Sequence, residues 1–234
     1  MEEFSTLQKI SIWILPVLFA ITIHEVSHGW VANLLGDPTA KMLGRLSINP
    51  IKHIDPIGTV LIPAMTLLFT GFIFGYAKPV PVTYENLRKP KRDMAWVALA
   101  GPGSNLLMAV FWALLIRLAL QLFQSYPTVG LFMIASGIAG IMVNLILMVL
   151  NLIPLPPLDG GRVMTSLLPA PLANQFAKIE PFGFIILIIL LVVGILGSII
   201  WPIVLQLLLG FSQIAGLTEQ ELSALLIAIG ALRA

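Results

Sequence analysis

Residues Ser11 to Leu35 form an apolar run long enough to cross a bilayer, and His24-Glu25-Val26-Ser27-His28 lies inside it. On a helix this spacing puts two imidazoles one turn apart on one face, with a carboxylate beside them. Ionisable groups at membrane depth are costly and mark function. The helix must therefore turn that face toward protein or a wet cavity, never toward lipid.

Composition agrees with a membrane setting. The chain of 234 residues is 58% hydrophobic and 10% charged, with a mean hydropathy of +0.99. Soluble domains carry about 25% charged residues, so a soluble fold and a nucleic-acid partner are both poor readings. The net charge of +2 is small, and the basic residues cluster beside apolar segments, which speaks for topology. There is no cysteine, so a metal site must use His, Asp or Glu. The N-terminus lacks a basic region followed by a small-residue cleavage site, so the first apolar run is expected to stay as a signal anchor.

The fold class expected is an all-α polytopic membrane protein with about 4–6 membrane helices. It forms one integral-membrane domain over residues 1–234, with a catalytic core of about 10–165 and C-terminal helices over about 182–234. Spans are predicted at Ile10–Leu35, Met94–Phe123, Val129–Leu152 and Phe182–Ile200. Phe182–Phe211 is too long for one straight span and is expected to break at Gly194, Gly197 or Pro202. Thr218 and Glu221 are spaced as a capping box opening a helix with Leu222, Leu225, Leu226, Ile229 and Leu232. That helix could lie along the membrane interface or pack on the bundle.

Three basic segments, 36–56, 77–93 and the stretch holding Arg162 and Lys178, are cytoplasmic by the positive-inside rule. Residues 57–76 are apolar but interrupted by Pro63 and Gly71, and they join two segments placed on the same side. A re-entrant or kinked hairpin satisfies this. The N-terminus is then outside, and His24 and His28 fall in the inner half of the first helix.

A third ligand comes from Asn151-Leu152-Ile153-Pro154-Leu155-Pro156-Pro157-Leu158-Asp159-Gly160-Gly161-Arg162. The topology puts Asp159 at the depth of the histidines, and three ligands plus an open position define a catalytic zinc site. The prolines interrupt the helix and let Asp159 turn inward, while Gly160 and Gly161 permit positive φ and close approach. Asp159 could instead order a turn, and Asn151 could satisfy backbone groups freed by Pro154. His53 is expected to order its loop. Asn144 shares a helix face with Asn151, turned toward the zinc cavity or bonded between helices. Ser136, Gly137 and Gly140 are read as helix-packing positions, and Arg162 and the 88–92 cluster as topology anchors.

With these residues in place, the chain resembles the site-2 protease family of intramembrane zinc metalloproteases. HEVSH at 24–28 and NLIPLPPLDGG at 151–161 match the two family signatures in order. GRLSINPIKHIDPIG at 44–58, FGYAKPVPV at 74–82 and AGPGSN at 100–105 look like its short bacterial and archaeal branch, without a PDZ-like or nucleotide-sensing domain. The resemblance covers roughly residues 10–165. It implies one Zn2+ per chain on His24, His28 and Asp159, with Glu25 as general base. It implies that Asn151 positions substrate or stabilises the oxyanion. The implied substrate is a transmembrane protein in the lipid bilayer of the cell membrane, and the charge distribution puts the active site toward the cytoplasmic side. Ala77–Val82 alternates Pro and Val, which suits a short extended edge near the active site that an unwound substrate could join. Two other classes compete: a membrane transporter with the same residues as a transit site, for which internal repeats are missing, and a helix-binding protein without catalysis.

Overall fold

A computed structural model describes residues 4–62, 65 and 78–232. Its main helices are α1 (Thr6–Leu34), α2 (Pro90–Ser125), α3 (Pro127–Asn151), α4 (Asp159–Leu167), α5 (Ala170–Ala177), α6 (Glu180–Val192), α7 (Ile195–Ala215) and α8 (Glu219–Ala228). No strand occurs among the described residues. The proposed hairpin at 57–76 falls largely outside the described residues; its start, Pro56–Leu61, is a wide helical turn capped by the Asp55 carboxylate, which accepts from the Ile57 and Gly58 amides.

Four helices are long and apolar enough to cross a membrane: α1, α2, α3 and α7. The first three agree with the sequence expectation. The fourth is displaced: the predicted span Phe182–Ile200 is interrupted, because Gly194 takes φ +83° and ends α6. L-residues avoid that region, and the helix cannot continue through it. The chain restarts at Ile195 and runs unbroken through Gly197 and Pro202 to Ala215. Helices α5 and α6 meet at a bend of 61° and together form a possible fifth, broken span.

The chain forms two compact units. One comprises Met1–Ala20, Asn105–Leu150 and Ile199–Ala234; the other Ile21–Ser104 and Asn151–Ser198. In the first unit, polar groups that lipid could not satisfy bond to each other. The Asn105 amide donates to the Asn144 side-chain oxygen at 2.9 Å and to the Ala20 carbonyl at 3.3 Å, and Asn144 donates to the Gly140 carbonyl at 2.8 Å. Asn144 is thus committed to bonding between helices. A Cβ at Gly137 or Gly140 would run into Ile116 or Trp112, so these small residues let α2 and α3 touch. The capping box forms as read: Thr218 Oγ1 accepts from the Glu221 amide, and the Glu221 carboxylate accepts from the Thr218 amide. Leu222, Leu225, Leu226 and Ile229 are buried, and the Ile229 carbonyl accepts from the Trp13 indole at 3.2 Å. Helix α8 therefore packs within its unit. Leu107, Phe111, Leu114 and Leu118 leave an exposed apolar stripe on α2, as lipid contact requires.

In the second unit, Ala32, Leu87 and Val97 form a buried cluster, with Val31, Leu35, Val82 and Tyr84 packed against it. This cluster fixes the segment after residue 78 against the end of α1.

Candidate metal centre

Helix α1 carries His24 and His28 one turn apart, and Asp159 is the first residue of α4. The two Nε2 atoms are 3.1 Å apart, and Asp159 Oδ2 lies 3.2 Å from one and 3.3 Å from the other. A tetrahedral ion with ligand bonds of about 2.0–2.1 Å holds its ligand atoms about 3.3 Å apart, so the triangle fits zinc. Asp159 Oδ2 is buried and makes no hydrogen bond, although two imidazole nitrogens are near. Electron-rich atoms converging in this way call for a cation between them. Among the described residues no other group of three His, Asp or Glu side chains comes together like this.

The surroundings orient the ligands. The Val97 carbonyl can only accept, so the contact of 2.7 Å from His28 Nδ1 puts the proton there. That leaves the Nε2 lone pair aimed at the site. Val97 is on α2, and one turn later the same helix presents Gly101. A Cβ at Gly101 would come within 2.6 Å of His24 Cε1 and 2.5 Å of His28 Cε1, and closer still to His28 Nε2. Only a residue without a side chain lets α2 cross the imidazoles here. Asp159 sits at a helix N-terminus, which favours its charge. Its approach is set by Gly160 and Gly161, whose missing Cβ atoms would strike the Leu152 and Ile153 carbonyls and Pro156. Neither glycine has positive φ; of the two roles expected for them, close approach is the one they serve.

Glu25 points at the segment after residue 78. Its Oε2 accepts from the Val80 amide at 2.8 Å. Gly29 lies one turn beyond Glu25 on the same face of α1, and the Val80 methyl occupies the space a Cβ there would need. The segment is held along its length. The His53 carbonyl accepts from the Lys78 amide at 2.9 Å, and Arg45 donates to the Lys78 and Pro79 carbonyls at 3.0 and 3.4 Å. At its far end the Thr83 amide donates to Asp37 Oδ2 at 2.7 Å. Asp37 is fully buried, and its other oxygen accepts from the Thr39 amide and hydroxyl and from the Asn86 amide. Burial pushes its carboxyl pKa up, but the Thr39 hydroxyl, the Asn86 amide and the backbone donors outweigh this and hold it below the usual carboxylate range.

The structure thus brings His24, His28 and Asp159 together and places Glu25 beside them on α1. Asn151 ends α3 and is half-buried. His53 serves its loop, with Nε2 2.8 Å from the Ser47 carbonyl. Arg162 does more than mark topology: it donates to the Tyr84 hydroxyl at 2.6 Å, lies over that ring, and faces Glu180 at 3.7 Å. Gly29, Asp37, Val97 and Gly101 escaped the sequence reading. The only available signal was that Gly29 follows HEVSH directly and that Gly101 lies in AGPGSN.

The sequence profile of peptidase family M50 matches residues 124–193. Relatives carry the name "Putative zinc metalloprotease". YwhC of Bacillus subtilis (strain 168) is 38% identical over 81% of this chain and 84% of the relative. The chain belongs to peptidase family M50. Rip2 of Mycolicibacterium smegmatis is 28% identical over 95% of this chain and 82% of its own length, and Rip2 of Mycobacterium tuberculosis (strain ATCC 25618 / H37Rv) 25% over 74% and 63%. No solved structure matches. This M50 peptidase, a site-2 protease relative, is a zinc metallopeptidase built on membrane-crossing helices, and zinc is its cofactor.

Proposed function

We propose that this M50 peptidase is an intramembrane endopeptidase that hydrolyses peptide bonds in or near transmembrane helices of other membrane proteins. In this reading His24, His28 and Asp159 hold the zinc, Glu25 is the general base, and Asn151 steadies the substrate carbonyl. The observation that carries it is the convergence of two ligand atoms from the membrane-crossing helix α1 and one from α4, next to a carboxylate hydrogen-bonded to a non-helical segment. Bound zinc supplies a Lewis acid that polarises the scissile carbonyl and makes water acidic enough to deprotonate near neutrality.

The chain's own residues do the rest. Glu25 Oε2 is committed to the Val80 amide, so Oε1 is the atom left to take the proton of the attacking water and pass it to the leaving amine. The Asn151 amide would donate to the carbonyl oxygen as negative charge develops there. A substrate helix hides its carbonyls in its own hydrogen bonds and must unwind first. The alternation Pro79-Val80-Pro81-Val82 suits an extended segment, in which alternate residues show their N–H and C=O on one edge and Val82 would share the edge of Val80. The Val82 amide and the Val80 and Val82 carbonyls make no hydrogen bond among the described residues, which leaves them for an added strand. The basic residues of 36–56 and 78–93 support an active site toward the cytoplasmic side of the cell membrane. A transporter or a helix-binding protein is disfavoured by the metalloprotease names of the relatives.

The test compares wild type with Glu25→Gln in liposomes on a single-span test substrate, with zinc measured on both. Cleavage by wild type alone, with equal zinc, is expected. Equal background from both proteins despite full zinc loading would sink the reading.

A further inference from the structure

Apart from the metal centre, the second unit carries an open groove of about 520 Å³ between the first turns of α2 and the second half of α4. Ala95, Trp96 and Leu99 line one wall, and Val163, Ser166 and Leu167 the other. Residues 92, 96 and 99 follow a helical stripe, as do 163 and 167, so each helix turns one continuous face into the groove. Lys91 and Arg92 stand at its rim. The groove is apolar along its length and cationic at one end.

The charges at that end are available. The Arg92 side chain is 68% exposed, and its one anionic neighbour among the described residues, Asp93, is 3.8 Å away and already accepts from the Lys89 amide. Lys91 gives one of its three hydrogens to the Leu168 carbonyl at 2.6 Å and keeps two. Arg88 and Lys89 lie just before them in the chain and are exposed. Trp96 is 56% exposed one turn inside the rim, where an indole marks the boundary between headgroups and acyl chains.

We propose that this groove is a binding site for an anionic phospholipid, with the phosphate on Arg92 and Lys91 and one acyl chain along Trp96, Leu99, Val163 and Leu167. The charge pattern selects this occupant over a substrate helix. The cytoplasmic flank of a transmembrane substrate tends to be rich in Lys and Arg and would meet like charge at this rim, whereas a lipid phosphate meets opposite charge. One wall of the groove is α4, whose first residue is Asp159, so an occupying chain would brace the helix that carries a metal ligand. The proposal stands whether or not the protein cleaves transmembrane helices.

The experiment is native mass spectrometry of the detergent-purified, zinc-loaded protein, titrated with phosphatidylglycerol or with phosphatidylcholine of the same acyl chains. Wild type is expected to retain one phosphatidylglycerol at concentrations where phosphatidylcholine is lost. Arg92→Gln should weaken phosphatidylglycerol about fivefold, since one cation near a lipid phosphate contributes on that scale. Val163→Trp fills the groove without changing charge and should weaken both lipids alike. Zinc content and melting temperature report whether each variant is folded, and Leu99→Trp replaces Val163→Trp if the latter is not. Equal retention of the two lipids by wild type overturns the proposal. So does a groove-filling variant that binds phosphatidylglycerol as wild type does, which would reduce the effect of Arg92 to surface charge. Retention of a single-span peptide in competition with phosphatidylglycerol, abolished by filling the groove, would assign the site to a helix instead.

Discussion

Gly101→Ala adds one methyl group where α2 crosses the two imidazoles. The new Cβ would lie 2.5–2.6 Å from the Cε1 atoms of His28 and His24, against about 3.5–4.0 Å for an unstrained contact. About 1 Å must be found. His28 is tied to Val97 on the same helix, and Asp159 Oδ2 stands 3.2–3.3 Å from both rings, so neither imidazole can retreat alone. Overpacking of this kind costs about 1–3 kcal/mol. Intrinsic propensity acts the other way, because Ala stabilises a helix interior over Gly by about 0.8–1.0 kcal/mol. The net loss of stability should therefore be about 0–2 kcal/mol, while the ligand triangle is pushed apart. A displacement near 1 Å in a catalytic constellation is worth about a hundredfold in rate. The assay is zinc content after dialysis, together with cleavage of the single-span substrate and a melting curve. Gly103→Ala is the control, since a Cβ there meets no described residue within 4 Å. Gly101→Ala is expected to lose zinc or at least a hundredfold in rate, with Gly103→Ala at wild-type levels. If both variants keep zinc and activity, α2 does not cross the site as described.

Three further outcomes are expected. Asp37→Asn should lower stability by about 1.5–3 kcal/mol, the scale of a hydrogen bond to a charged group, and raise KM more than it reduces kcat by loosening the 78–83 segment. The folded-state pKa of Asp37 is depressed, so its contribution is full above the unfolded value of about 3.9. It fades as pH falls through the lower folded value; a melting-temperature profile between pH 6 and 3 should therefore fall less steeply for Asp37→Asn than for wild type. Val82→Pro removes the one amide on the proposed edge that makes no described hydrogen bond; zinc content should hold while kcat/KM drops about tenfold, near the upper scale of one neutral hydrogen bond, and unchanged cleavage would exclude strand addition there. Gly194→Ala introduces a Cβ that meets no atom of the described residues within 4 Å but sits at φ +83°; it should lower stability by about 1–2 kcal/mol from backbone conformation alone, and an unchanged melting temperature would contradict that backbone.

The parts of the site legible in the sequence are those whose chemistry needs particular side chains. His24, Glu25 and His28 declare themselves by helical spacing, and Asp159 by its place in a proline-interrupted stretch at the right depth. What positions them is nearly invisible, because it is made of backbone and of missing atoms. Val97 acts through a carbonyl that every residue type has. Gly29 and Gly101 act by having no Cβ, and a glycine in an apolar run looks the same whether it crosses a neighbouring helix or faces lipid. Asp37 reads as an ordinary turn residue after Gly36 until the fold brings Thr83 and Asn86 to it. The sequence offers three positions for the break before α7 and does not choose among them, since glycine and proline both persist inside helices when tertiary contacts allow it. The C-terminal helix had its cap written out, and only its packing needed the structure.

The bond from the Val80 amide to Glu25 has a further meaning. Under the proposed mechanism it makes the proton acceptor and the docking edge a single mechanical part: whatever draws the edge sideways would also tilt the carboxylate. A strand laid along Val80 and Val82 would tighten that edge and steady Oε1, while an empty edge lets it swing. Loading would then be registered by the base itself, with no separate gate, and a poorly fitting chain would meet a carboxylate aimed slightly wrong. Selectivity in such an enzyme would appear in kcat as well as in binding.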